Sequence, residues 1–92
     1  MDQHTLYESL AKSGFQVLEF LDHPGSFGSW YVCVKRGHKE FRLVFDGRDS
    51  LLSLQQQVPS AGWLDIRTQI VSGKQTGFID LGISWLQECT SA

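Results

Sequence analysis

A tight turn between two apolar runs carries the residues of this chain that are best placed for acid–base chemistry. Within FRLVFDGRDSLLSLQ, residues 41–55, the carboxylates of Asp46 and Asp49 flank the guanidinium of Arg48. Acid–base catalysis needs two carboxylates held together in a cleft that separates their pKa values. A four-residue turn provides no cleft, and aspartates commonly accept hydrogen bonds from the backbone of turns. The sequence therefore predicts that these residues shape the turn and have no catalytic role.

Other residue types associated with catalysis or metal binding lack the spacing that those functions need. The histidines, His4, His23 and His38, have no second histidine or cysteine two to four positions later, so no zinc site is expected. Cys33 lies in an alternating apolar run, which predicts a packed thiol. The glycine-rich segment 25–28 lacks the lysine of a phosphate-binding loop and does not open a helix. We therefore expect a non-enzyme with no catalytic residue, metal or cofactor.

Length and composition predict one ordinary domain spanning residues 1–92. Hydrophobic residues make up 41% of the chain and charged residues 20%, which is typical of globular proteins. The net charge of −2 is unlike the basic balance of dedicated nucleic-acid-binding domains. The chain shows no secretory leader, and no apolar run approaches the roughly 20 residues that span a bilayer. With two cysteines and no leader, a reduced, cytoplasmic protein without a membrane partner is expected.

Hydrophobic periodicity predicts a helix near each end of the chain. Residues 2–13 form a short amphipathic helix, with Asp2 as its N-cap and Gly14 just beyond its end. Residues 78–89, FIDLGISWLQEC, form a second helix with Thr76 as its cap. The apolar stripe of the first helix consists of Leu6, Tyr7, Leu10 and Ala11.

Alternating side chains predict strands between the two helices. Residues 15–22 are apolar at alternate positions on both faces, which predicts a mostly buried strand. Residues 30–36 and 40–46 alternate cleanly about Gly37–His38 and form a hairpin, from which Arg42 and Val44 face outwards. The side chains of this hairpin that face the core are those of Trp30, Val32, Val34, Phe41, Leu43 and Phe45.

Two further segments fit both a strand and a helix. In residues 50–58, leucine and glutamine favour a helix, whereas the preceding Asp46–Gly47 dipeptide favours a hairpin, and we favour the strand. In residues 63–71, apolar or β-branched side chains recur at every second position from Leu64 to Ile70, as in a strand. The apolar residues of this segment also fit a helical stripe, so both interpretations stay open.

The order of elements predicts an α+β domain. Short connections favour a meander of three to five antiparallel strands, with the N- and C-terminal helices packed on one face of the sheet.

Exposed charges at the hairpin ends are the candidate binding residues. Between Lys35 and Arg48 five cations face two carboxylates, a local balance of +3, so the rest of the chain carries −5. Cations near Tyr31 and Phe41 also suggest nucleic-acid binding, but we expect these aromatic rings to lie in the core, which argues against nucleic acid as a partner. We predict that a partner contacts Arg36, His38, Lys39, Arg48 and Asp49.

Residues 30–55 and the following GWLDI, residues 62–66, resemble small stand-alone bacterial immunity proteins and other accessory proteins of mobile elements. The shared features are an aromatic-rich strand, a charged turn, a strand ending in Asp-Gly, and a downstream tryptophan. The resemblance implies a non-catalytic protein-binding module, such as an immunity protein or antitoxin for a bacterial toxin. The alternatives are a self-associating, homodimeric accessory protein from a mobile gene cassette that binds a small molecule between sheet and helices, and a small nucleic-acid-binding domain.

Overall fold

The computed structural model describes residues 3–23, 25, 28–71 and 78–90, which form one sheet and two helices. The five strands are all antiparallel and follow the chain order β1-β2-β3-β4-β5, as a meander does. The predicted α+β meander is therefore confirmed, and both ambiguous segments are strands. The elements are α1 (Gln3–Lys12), β1 (Gln16–His23), β2 (Ser29–Arg36), β3 (Lys39–Asp46), β4 (Leu51–Val58), β5 (Gly62–Ile70) and α2 (Phe78–Thr90).

Both helices lie on the same face of the sheet and form the second layer of the domain. Helix α1 contacts β1, α2 contacts β4, and the two helices contact each other. The central strands bury every second side chain beneath them, as the alternation in the sequence predicts. The buried core consists of Leu6, Leu10, Phe15, Trp30, Val32, Val34, Phe41, Leu43, Phe45, Leu52, Leu54, Val71, Ile83, Trp85 and Leu86.

Helix α1 ends in a Schellman motif that turns the chain into β1. The N–H of Phe15 donates to the carbonyl of Leu10 at 3.0 Å, and the N–H of Gly14 donates to that of Ala11 at 3.1 Å. Gly14 has a φ of +84°, which explains why glycine follows the helix. The predicted apolar stripe was wrong at Ala11, which is exposed, and the proposed caps Asp2 and Thr76 lie outside the described residues.

The two edge strands each contain a β-bulge, which the alternation in the sequence did not predict. The pairing of β1 with β2 shifts between Val17 and Glu19, so Leu18 is an extra residue and is 45% exposed. The expectation of a mostly buried first strand was therefore wrong. In β5 the extra residue is Ile66, because Asp65 and Arg67 pair with adjacent residues of β4. Bulged edges resist pairing with other sheets.

Helix α2 is attached to β5 by an ion pair on the helical side of the sheet. The guanidinium of Arg67 lies 2.6 Å from the carboxylate of Glu88, and both side chains are about half exposed. The bulge makes this contact possible because it turns Arg67 to the side of the sheet that carries α2. An unbulged strand would place Arg67 and Asp65 on the same face.

Candidate partner-binding face

The five strands present a second face, opposite the helices, which we call the open face. Directly opposed residues of neighbouring antiparallel strands share a face, so the strand registers define its members. Among the described residues, the side chains of this face are exposed or half-buried, with none buried. They include Glu19, Leu21, Tyr31, Cys33, Lys35, Glu40, Arg42, Val44, Asp46, Leu51, Ser53, Gln55, Trp63, Asp65, Thr68 and Ile70.

One row of side chains crosses the open face from edge to edge. The registers place Glu19, Cys33, Arg42, Gln55 and Asp65 side by side on the five successive strands. Nε of Arg42 donates to Oε1 of Gln55 at 2.7 Å, and Nε2 of Gln55 donates to Oδ1 of Asp65 at 2.8 Å. The Gln55 amide thereby fixes the guanidinium and the carboxylate in one chain of hydrogen bonds.

Two aromatic rings hold Arg42 at the centre of the open face. The guanidinium carbon lies 4.5 Å from the ring centroid of Trp63 and 5.7 Å from that of Tyr31. Such cation–π contacts contribute about 0.5–1 kcal/mol each at exposed sites. The hydroxyl of Tyr31 donates to Oε1 of Glu19 at 3.3 Å. The group Tyr31–Arg42–Trp63, which we call the central triad, is therefore positioned by contacts within the chain.

Apolar side chains continue the open face from the triad towards the turn between β3 and β4. Ile70 is 76% exposed and lies opposite Leu51 in the register. A shallow depression of about 310 Å³ lies nearby, with Ser29, Tyr31, Val44 and Asp46 among its lining residues. Its volume is at the lower end of the range for small-molecule sites. The core residues Trp30 and Phe45 line it as well.

Carboxylates outnumber cations on the open face. Four carboxylates and two cations give this surface a formal charge of −2. One of the two cations is the guanidinium of Arg42, which lies over two rings and donates a hydrogen bond to Gln55. The carboxylates belong to Glu19, Glu40, Asp46 and Asp65, and the cations to Lys35 and Arg42.

Cys33 lies in the row between Glu19 and Arg42 and is half-buried. The prediction of a thiol packed in the core was therefore wrong. Partial burial raises the pKa of the Cys33 thiol above its ordinary value, and the nearby Glu19 carboxylate raises it further. The guanidinium of Arg42 acts in the opposite direction with a smaller effect. A raised pKa leaves a smaller fraction of the Cys33 thiol as the nucleophilic thiolate.

The structure divides the predicted partner-binding residues between opposite ends of the sheet. Arg36, His38 and Lys39 lie around the β2–β3 turn, whereas Arg48 and Asp49 lie in the β3–β4 turn. The eight residues of β3 separate the two turns by about 23 Å at the usual rise of a strand. All five residues are exposed, but they do not form one cluster.

Three contacts refine the roles of residues in these turns. The guanidinium of Arg36 lies 5.6 Å from the ring centroid of Phe15, so this side chain also takes part in the fold. Oδ1 of Asp46 accepts a hydrogen bond from the N–H of Arg48 at 3.0 Å, as predicted for a turn-shaping aspartate. The N–H of Gly47 donates to Oγ of Ser29 at 2.9 Å and joins the same turn to the first residue of β2.

Reasoning from the sequence missed the central triad as a candidate site. Tyr31 was expected in the core, but its ring is half-buried on the open face, and Trp63 was left between two interpretations. The positions of Tyr31 and Arg42 within the hairpin were the sequence signal for this site. Tyr31 and Arg42 have the opposite parity to the core residues on β2 and β3, so both belong to the outward face.

Comparison with known proteins gave no relative of this chain. No protein-family model matches it, and neither the curated proteins nor the solved structures contain a significant match. Within the described ranges, no helix is long and apolar enough to cross a membrane. Among the same residues, no group of three or more histidine, cysteine, aspartate or glutamate side chains is placed to hold a metal ion.

Proposed function

We propose that this chain is a non-catalytic protein-binding module and that its partner docks on the open face. The observation that carries the proposal is the central triad, whose side chains are held in place at the middle of the open face. Tryptophan, tyrosine and arginine are the residue types most enriched among the side chains that dominate binding energy. In this chain a tyrosine and a tryptophan contact the same arginine, and the three residues lie on three different strands.

The triad is ordered by contacts within the chain, and this order favours binding. Side chains that must be immobilised on association cost about 0.5–1.5 kcal/mol each. Arg42 is already fixed by Gln55, and Tyr31 by Glu19. A partner that covers the triad therefore loses less conformational entropy than one that binds mobile side chains.

The size of the open face also suits a protein partner. Five strands of eight or nine residues each give the open face an area of roughly 650 Å² at standard sheet spacings. A typical stable interface uses about 800 Å² from each partner, which includes the rim around such a face. The 310 Å³ depression occupies only one part of this surface. The resemblance to immunity proteins suggests that the partner is a toxin, whose action the bound module would block.

Partner capture with matched baits tests the proposal. The wild-type chain and a Trp63→Thr variant serve as baits in lysate of the cells that produce the protein, and the captured protein is then purified. Threonine keeps a β-favouring residue on β5 while it removes the indole. We expect the purified partner to bind the variant at least tenfold more weakly in calorimetry. Equal affinity of both forms would refute binding through this face. A toxin partner should also lose its activity on binding.

A further inference from the structure

We infer that the open face recognises a positively charged protein surface, with cations placed to meet the two edges of the sheet. This inference rests on the proposed function and specifies the chemistry of the partner. The row across the face ends in a carboxylate on each edge strand, Glu19 on β1 and Asp65 on β5. Four interstrand spacings separate them by about 19 Å, with the central triad between.

The two edge carboxylates are held towards the face by neutral donors. Glu19 accepts from the Tyr31 hydroxyl and Asp65 accepts from the Gln55 amide, and neither bond neutralises the charge. The only cation in this row is the guanidinium of Arg42, which lies over the rings of Trp63 and Tyr31 at the centre, two strands away from each edge. An approaching molecule therefore meets negative charge at both ends of the row, and aromatic surface with one guanidinium in the middle. Complementary potentials favour a partner with cations at its rim.

A second copy of this chain fits the open face poorly. Two copies that stack their faces about a two-fold axis along β3 bring β1 of one copy over β5 of the other. The row then places Glu19 opposite Asp65, two carboxylates. An axis along the row places each edge carboxylate opposite the same residue of the second copy. Both arrangements also bring together two surfaces that each carry a formal charge of −2.

Nucleic acid fits the same surface no better, even though exposed aromatic rings on a sheet can stack on bases. Binding of nucleic acid depends on cations that neutralise phosphates. On this face the phosphates would meet more carboxylates than cations. The rings of Trp63 and Tyr31 are also covered on one side by the guanidinium of Arg42. The observations favour a basic protein.

Selection from a random peptide library tests the inference and does not require the partner to be identified first. A displayed library of 16-residue random peptides is panned against the full-length protein, and peptides that also bind Trp63→Thr are removed. The remaining peptides are then measured against the double variant Glu19→Gln/Asp65→Asn. Each substitution removes one negative charge and leaves an amide oxygen that can accept the hydrogen bond from Tyr31 or Gln55. Circular dichroism verifies that each variant is folded.

We expect the retained peptides to be net positive and to bind the neutralised variant about fivefold more weakly, as two partly exposed ion pairs predict. Acidic or uncharged peptides, or unchanged affinity for the neutralised variant, would overturn the inference and leave protein binding by this face intact. If no selected peptide required Trp63 for binding, the proposed function would be refuted as well. Binding of a 20-nucleotide oligothymidine, or a dimer that Trp63→Thr dissociates, would assign the face to a different occupant.

Discussion

The backbone of Gly82 on α2 lies directly against the side chain of Leu43 on β3. A Cβ atom at position 82 would be 2.6 Å from Cδ2 of Leu43, closer than such atoms approach in proteins, and 3.0 Å from Cδ1. Helix α2 can therefore pack this closely on the middle strand because residue 82 has no side chain. Glycine in a helix interior costs about 1 kcal/mol relative to alanine. The close packing against Leu43 offsets that cost.

Gly82→Ala should destabilise the protein even though alanine is the better helix former. The added methyl must displace α2 or Leu43, and overpacking of this kind typically costs about 1–3 kcal/mol. Urea unfolding followed by circular dichroism measures the change. Ser84→Ala, at an exposed position of the same helix, is the control and should be neutral or slightly stabilising. A Gly82→Ala variant more stable than the wild type would contradict this packing.

Leu43→Ala should lower the free energy of unfolding by about 2–5 kcal/mol, because it leaves a cavity beneath α2. Leu43 is fully buried at the centre of the core. Val44→Ala on the opposite face of the same strand is the matched control and should cost clearly less, since Val44 is only half-buried. In the Leu43→Ala background, Gly82→Ala should no longer destabilise, because the clashing atoms are absent. A loss below about 0.5 kcal/mol for Leu43→Ala would contradict the assignment of Leu43 to the buried face of β3.

The hairpin of β2 and β3 was predictable because aromatic and β-branched residues dominate both strands and Gly37–His38 marks the turn between them. The nature of β4 and β5 was harder to predict, since leucine and glutamine favour helices and the same apolar residues also fit a helical stripe. The β4 segment is a strand and not a helix because it pairs with β3. The bulges at Leu18 and Ile66 could not be predicted, because each depends on the register with a neighbouring strand.

The candidate site was less predictable than the fold for the same reason. Tyr31 and Arg42 could be placed on one outward face from the hairpin alone. Trp63 could not, because its position beside Arg42 requires β5 to be a strand paired in a particular register with β4. Exposed charges at turns are visible in a sequence, whereas a ring and a guanidinium that meet across strands depend on the tertiary structure.

Arg42→Lys should weaken partner binding far more than it weakens the fold. Lysine keeps the charge but lacks Nε and the planar group that stacks on Trp63 and Tyr31. We expect a stability loss of at most about 1 kcal/mol, since Arg42 is only partly buried. Peptides selected through Trp63 should bind at least about tenfold more weakly, as expected for a residue at an interface centre. Unchanged affinity would show that the charge alone suffices and that stacking is irrelevant.

The Cys33 thiol should react with a disulfide reagent more slowly than an ordinary thiol at the same pH. Its raised pKa leaves less thiolate, so the half-maximal rate should shift to higher pH. Cys89→Ala provides a background in which only Cys33 is measured. Glu19→Gln should move the profile back towards lower pH, because it removes the negative charge that disfavours the thiolate. A profile that Glu19→Gln leaves unchanged would mean that the Glu19 carboxylate does not contribute to the raised pKa of Cys33.

The charges at the hairpin ends should tune the rate of association with the partner, while the central triad sets the rate of dissociation. Rim charges act mainly through electrostatic steering, whereas buried aromatic anchors determine how long a complex lasts. If the partner is basic, Lys39→Glu and Arg48→Glu should each speed association, most strongly at low salt. Both residues are exposed, so the melting temperature should change little.

Trp63→Thr should instead speed dissociation, with little change in the association rate. Stopped-flow measurements at two salt concentrations separate these effects. If Lys39→Glu or Arg48→Glu slowed association, the partner surface would be acidic, and the hairpin ends themselves would be its binding site.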